Sequence, residues 1–405
     1  MQQRGFIVTL IVFFILLIMT SIGLSVSLLI FQSQKVAANT IKSTQSYFIA
    51  ESGVEDSLLR LGKGWNTPAS YSLAVAEATA EVTISSISAG SRTIASEGNS
   101  SSHFRKIEVV YQLSGAKPGF FYGAQVGEGG LRMDNSSRVV GNVYSNGNAQ
   151  LTGTAQITDT ISVAGTGKKI SGGEVLGDAY SDICENTEIG GTLHANTQSN
   201  CSYSSFTSDG LPIDPLSLPI PNSQIEEWKN EAAAGGTIGS FNKSSGTHIL
   251  GPVKIEGDLI VQNTAQLVIT GTLWVTGNID IKNSAQVRLD PSYGSTSGVI
   301  VASGLITLQN SSISSGSGSA GSYLMYISTS SADPAVIVKN FAIVDVLYSN
   351  TGWVAIENNT DMRSVNSYGI HVKNSAELTY EIGLADALFT SGPAAGWTVT
   401  SWQEQ

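Results

Sequence analysis

Four histidines, two cysteines and a sparse set of carboxylates are the residues with which this chain could do chemistry, and their spacing limits each of them. His103, His194, His248 and His371 are scattered, with no H-E-x-x-H pair to hold zinc and no serine-centred elbow to supply a nucleophile. They read as surface or loop histidines. Glycoside hydrolysis needs two facing carboxylates about 5–9.5 Å apart. The adjacent acids Glu55-Asp56 and Glu226-Glu227 both fall in helical patterns, and the 20-residue register puts Asp258 opposite Asn278 and Asp280 opposite Ile260. The glycine-rich stretches contain neither G-x-x-x-x-G-K-[ST] nor the calcium-binding nonapeptide. No catalytic residue, metal ligand or cofactor is assigned, and a carbohydrate-active enzyme is the alternative kept open.

Cys184 and Cys201 lie too far apart for a C-x-x-C redox or zinc motif. In an oxidising exterior they can pair, closing a loop worth about 3 kcal/mol; otherwise they are two isolated buried thiols. The 405 residues carry a net charge of −11 and only 13% charged residues, with no Lys/Arg run, which argues against a nucleic-acid partner. Forty-one per cent apolar residues can bury a core, and 43 glycines amid Ser, Thr and Asn tracts favour short strands with tight turns.

Those strands show a repeat: apolar, any, apolar, any, Asn. It ends at Asn263, Asn283, Asn310, Asn340, Asn358 and Asn374, at intervals of 20, 27, 30, 18 and 16 residues, with an earlier copy at Leu131-x-Met133-x-Asn135. One strand position repeating under loops of variable length predicts a parallel β-helix over 118–405. Its coils stack about 4.8 Å apart, so the asparagines form a structural ladder of side-chain amides rather than a ligand-binding row. Some 20 residues per coil gives roughly 12–13 coils. A Pro-rich and helical insertion at about 210–237, with Asn222 or Ser223 capping a helix Gln224–Ala234, interrupts the solenoid and lies over its flank.

At the other end, Phe6 to Phe31 is a run of 26 uncharged residues, about 39 Å as a helix against a hydrocarbon core of roughly 30 Å. It predicts a single membrane span. Arg4 before it and Lys35 after it put the short N-terminus in the cytoplasm and the rest outside. Ile41, Phe48, Val54, Leu58 and Leu61 continue the helix as an amphipathic stretch, 32–62, stopped by Gly62 and Gly64. Three strands, Ala80–Ile87, Arg92–Glu97 and Phe104–Leu113, then make a small antiparallel sheet within 63–117. The fold class is thus mainly β behind one long helix.

Two stretches carry a family resemblance. Met1 to Gly5 followed by Phe6 resembles the leader of type IV prepilins, which a prepilin peptidase cuts after the glycine. The run Ala50-Glu51-Ser52-Gly53-Val54-Glu55 resembles the A-E-x-G-x-E stretch of the PilX N-terminal family of pilus assembly proteins. Together they cover about the first 62 residues. Gln224 to Thr237, Gly251-Pro252-Val253 and the segment into Trp397 and Trp402 look like the large exported domain behind such an N-terminus. The resemblance implies a subunit held in the inner membrane before assembly, other pilin subunits as partners through the helix, and a place on the cell surface or pilus afterwards. Major pilins carry a glutamate at the fifth mature position to receive a neighbour's N-terminal ammonium, and here that position is Leu10. A buried ammonium without a carboxylate is costly, so the resemblance points to a minor pilin or to the K-type minor pseudopilin of type II secretion. Glu51 and Glu55 read as solvated helix-face carboxylates, and the solenoid as a surface for adhesion.

Overall fold

The computed structural model describes residues 3–62, 67–76, 78–85, 91–113, 119–208, 213–390 and 397–404, without the side chains of 3–9 and of a few residues beside the gaps. Gly64, Ile87 at the end of an expected strand, residues 114–118 and residues 210–212 at the start of the expected insertion lie outside them. The chain forms two compact units: Met1–Gln112 with Trp397–Gln405, and Leu113–Gly396.

In the first unit, helix α1 runs unbroken from Gln3 to Gly62. Strands β1 (Ser70–Val75), β2 (Ala78–Ile84), β3 (Ser91–Ser100) and β4 (His103–Leu113) pair antiparallel in sequence order. A fifth strand, Trp397–Glu404, lies beside β4. Two expectations are corrected here. The solenoid does not extend to residue 405, because the chain's end returns to this sheet, and β1 adds a strand whose Tyr71, Leu73 and Val75 alternate with exposed neighbours. The helix face is corrected in part: Val54 is buried and Leu58 and Leu61 pack against the same core as expected, but Ile41 and Phe48 are exposed, and Ser46, Ile49, Ala50 and Ser57 are buried instead. Small residues win at this contact because they let the helix backbone approach the sheet. A Cβ on Gly53 would come within 2.3 Å of Ser96 Oγ, and one on Gly98 within 2.1 Å of the Ser46 carbonyl.

The second unit is a parallel β-helix, each coil made of three short strands. Apolar alternation builds it: Leu259/Val261, Ile279/Ile281, Ile306/Leu308, Val336/Val338, Val354/Ile356, Ile370/Val372 and Leu131/Met133 point inward in register and are almost wholly buried. The order of the coils is not the order of the sequence. The chain joins the column in its middle at Ala124 and winds away through coils starting at Val143, Ile161, Ala179 and Thr192 to a last strand, Ser205–Thr207. It then resumes at the opposite end with Thr237 and winds back through coils starting at Val253, Leu273, Gly298, Leu324, Val346 and Ser364. The final coil stacks on the first, Val365 beside Ala124, Ile370 beside Leu131 and Leu378 beside Val139. Two arms, 124–207 and 237–379, thus meet at a seam.

What the sequence suggests as an insertion over the flank is the strut that joins the two ends. It climbs the outer wall coil by coil. Gly165 N–H donates to the Ile213 carbonyl (3.0 Å), Tyr144 OH to that of Asp214, Asn146 Nδ2 to that of Leu216 (2.7 Å), Gln125 Nε2 to that of Ser217 (2.8 Å) and Tyr348 OH to that of Ile220 (2.6 Å). Helix α2, Asn222–Ala234, follows, burying Ile225, Trp228 and Ala232. Ile225 and Trp228 join a second apolar cluster outside the coils, with Val299, Val301, Met325 and Val346. No side chain caps α2 in the expected way: the helix starts at Asn222, whose Oδ1 accepts from Asn350 on the solenoid wall instead.

Candidate functional site

The first candidate is the N-terminal half of α1. From Leu10 to Phe31 its side chains are exposed and without charge, and the helix is long and apolar enough to cross a membrane. Two of its hydroxyls turn back on the helix, Thr20 Oγ1 donating to the Leu17 carbonyl and Ser25 Oγ to that of Ser21 (3.0 and 2.9 Å), which pairs them without water. Leu10 is 46% exposed. Gly5 and Phe6 sit on the helical backbone, and the Phe6 side chain lies outside the described ones.

The Ala50-to-Glu55 run divides by role. Ala50, Gly53 and Val54 face the sheet, whereas Glu55 points to solvent and Glu51 is half-exposed. Beyond them Asp56 Oδ2 accepts from Arg60 Nε (2.6 Å) and Tyr71 OH (2.8 Å). Burial works against its ionisation, but these bonds and the Arg60 charge hold its carboxyl below the usual range.

The amide column runs along the corner between the second and third strands of each coil. Asn283 Nδ2 donates to Asn263 Oδ1 (3.3 Å), Asn310 to Asn283 (3.0 Å), Asn340 to Asn310 (2.9 Å), Asn358 to Asn340 (2.8 Å) and Asn374 to Asn358 (3.0 Å). Asn135 then donates to Asn374 (3.2 Å), carrying the row across the seam. Sequence reasoning missed a second cause for asparagine here. All seven have φ between 51° and 58°, a left-handed conformation that asparagine tolerates better than most residues. It also missed the inward column two positions on, Ala265, Ala285, Ser312, Ala342, Thr360, Ala376 and Ser137, buried and uniformly small. The N-x-[AST] spacing was the available signal.

Cys184 and Cys201 are joined, tying the last two complete coils of the first arm to each other. Register separates Asp258 from Asp280, as Asp280 pairs with Ile260, and Asp258 Oδ1 instead accepts from the Asn278 N–H (2.7 Å). Two carboxylate pairs absent from the sequence reading stand in register on neighbouring coils: Asp361 with Glu377, and Glu174 with Glu188, the latter beside an open groove with Gln156 Nε2 donating to Glu174 (2.6 Å). Among the described residues no group of His, Cys, Asp and Glu is arranged to hold a metal ion.

Ionic contacts gather at the seam. His371 Nε2 lies 2.6 Å from Asp134 Oδ2, Thr152 Oγ1 donates to Asp134 Oδ1 (2.6 Å), and the Arg132 guanidinium stacks 4.0 Å over the Trp353 ring. Burial raises the Asp134 carboxyl, but its bonds to Thr152 and His371 and the charges of His371 and Lys373 outweigh that and leave it below the usual range.

No family model and no curated protein matches the chain. Among solved structures, the competence-associated pilin ComZ from Thermus thermophilus is similar over 90% of this chain and 97% of its own, at 11% identity and a TM-score of 0.30.

Proposed function

We propose that this chain is a minor, pilin-like subunit of a type IV pilus or related filament, anchored in the inner membrane before assembly, with its solenoid displayed for adhesion or surface contact. The observation that carries the reading is α1: one helix of 60 residues whose first half is apolar and exposed and whose second half is seated by small residues on an antiparallel sheet. An apolar half of that kind is stable only in lipid or packed among similar helices. The prepilin-like leader supports cleavage by a prepilin peptidase between Gly5 and Phe6, and the Ala50-to-Glu55 run supports the PilX-like assignment. Leu10 supports a low copy number, because no carboxylate there receives a neighbour's N-terminal ammonium. Mass spectrometry of the mature N-terminus and quantitative proteomics of sheared filaments test this reading. A chain beginning at Met1 in filaments, or one as abundant as the major subunit, overturns the processing or the minor role respectively.

The in-register pair Glu174 and Glu188, which lines a groove, favours a carbohydrate-active enzyme. In the reading proposed here the protein is not catalytic. Release of reducing ends from polysaccharide by the wild type, lost in Glu174→Gln and Glu188→Gln, would reverse it.

A further inference from the structure

Asp345 is a carboxylate that neither the amide ladder nor the assembly helix uses. It sits at the corner between the coils starting at Leu324 and Val346 and is 3% exposed. Its Oδ2 accepts from the Leu324 N–H (3.0 Å), which holds the end of the excursion from Gly316 to Leu324, and the Gly316 amide also favours its ionised form. The Arg363 Nε lies 3.5 Å from its other oxygen. Arg363 is shared: its Nη1 donates to Glu381 Oε2 (3.0 Å), while Tyr323 OH donates to Glu381 Oε1 (2.9 Å). Tyr326, fully buried nearby, is engaged with Ser314 Oγ (2.8 Å).

Glu381 opens the segment that leaves the last coil. That strap folds back along the flank, its Leu384 and Phe389 buried, the Ser297 N–H donating to the Leu388 carbonyl (2.8 Å) and the Thr390 N–H to that of Ser297 (2.9 Å). We propose that Asp345 is a proton-binding site that divides Arg363 between the solenoid wall and this strap. With Asp345 ionised, Arg363 balances a buried charge and serves Glu381 only in part. With Asp345 protonated, that demand disappears and the guanidinium belongs to Glu381, which fastens the strap. The groups facing Asp345 are Arg363, Glu381, Tyr323 and Tyr326, and of the four only Arg363 favours its charge, offsetting part of the solvation that burial removes.

Burial raises the Asp345 carboxyl to about 6, against the opposing pull of the Leu324 and Gly316 amides and of Arg363. A carboxyl raised on folding contributes stability that is complete below the ordinary aspartate value and is lost as pH climbs through the folded one. The window therefore lies between about pH 4 and just above 6.

Thermal unfolding of the full chain in detergent, followed across that window, tests the proposal. The wild-type midpoint should rise by several degrees on acidification from about pH 7 to pH 5, and Asp345→Asn should abolish the rise. In Glu381→Gln, which frees Arg363 for Asp345, the rise should move to lower pH. An identical slope in Asp345→Asn, or an unmoved rise in Glu381→Gln, overturns the proposal. Should Asp345→Asn not fold, infrared spectroscopy of the wild type decides: a protonated-carboxyl band should persist at about pH 5.5 and vanish by about 7.5, and its absence at the lower value is equally fatal.

Discussion

The two arms of the solenoid are made from the same strand pattern but are held differently. In the second arm, coils of 16 to 30 residues share an unbroken row of amides and lean on an outer apolar cluster built by the strut. In the first arm the row stops after Asn135: Gly153 and then Gly172-Gly173 take the corner, and amides reappear only at Asn186 and Asn200, where coils shrink to 14 residues. There the disulfide stands in. A corner can thus be secured by side-chain amides repeated along a column or by one covalent tie at its end, and the choice follows how many coils lie in register.

The largest expected effect is on the outer buttress of the second arm. Trp228→Ala removes a fully buried indole from between α2 and the coils and should cost about 3–5 kcal/mol, with denaturant melts and hydrogen exchange showing loss of protection confined to the second arm. Loss spread evenly over both arms would erase the distinction. Next comes the covalent tie: Cys201→Ser should cost about 3 kcal/mol and open the far coils of the first arm before anything else. Peptide mapping without reductant that finds both thiols free removes that prediction.

Asn283→Leu deletes the amide bonds to Asn263 and Asn310 and forces a branched side chain to positive φ, for a cost of about 1–3 kcal/mol. Unchanged stability with lost surface binding would make the row a recognition element. Acid should act at the seam, where the depressed Asp134 carboxyl contributes stability above its unfolded value near 3.9 that is lost as pH falls through its lower folded value. Asp134→Asn should flatten that acid limb; an unaltered limb assigns the acid sensitivity elsewhere. The smallest effect sharpens the comparison. Gly153 has φ of +65° and room for a Cβ, 3.5 Å from the Asn135 nitrogen, so Gly153→Asn should extend the row into the first arm and add up to about 1 kcal/mol.

How much of this could be read from the chain differs by region. The apolar-x-apolar-x-Asn repeat is a local pattern with a local cause, so the parallel solenoid and its amide column were legible residue by residue. The permuted stacking was not, because Asn135 and Asn374 bond across 239 residues and nothing near either one announces the other. Asn135 did carry the motif as an isolated early copy, and only the missing amide at Gly153 hid its place in the row. The helix–sheet contact is legible only at its lower end, where Val54, Leu58 and Leu61 pack as their spacing implies; above them Ala50 and Gly53 bury backbone, and large Ile41 and Phe48 stay outside. The strand Trp397–Glu404 gives little signal before its partner sheet is known, and Asp345 looks ordinary until the excursion whose end it holds is folded.

The seam also sets an order of completion. The coil beginning at Ala124 is the first solenoid coil to be synthesised, yet the coil that covers it, Ser364 to Thr379, is the last, and the strand that finishes the small sheet comes later still. A chain cut short before Ser364 therefore leaves the Ala124 coil with an uncovered sheet edge and the small sheet without its final strand. Both units thus depend on the polypeptide beyond Ser364, so neither is finished until that stretch has been made.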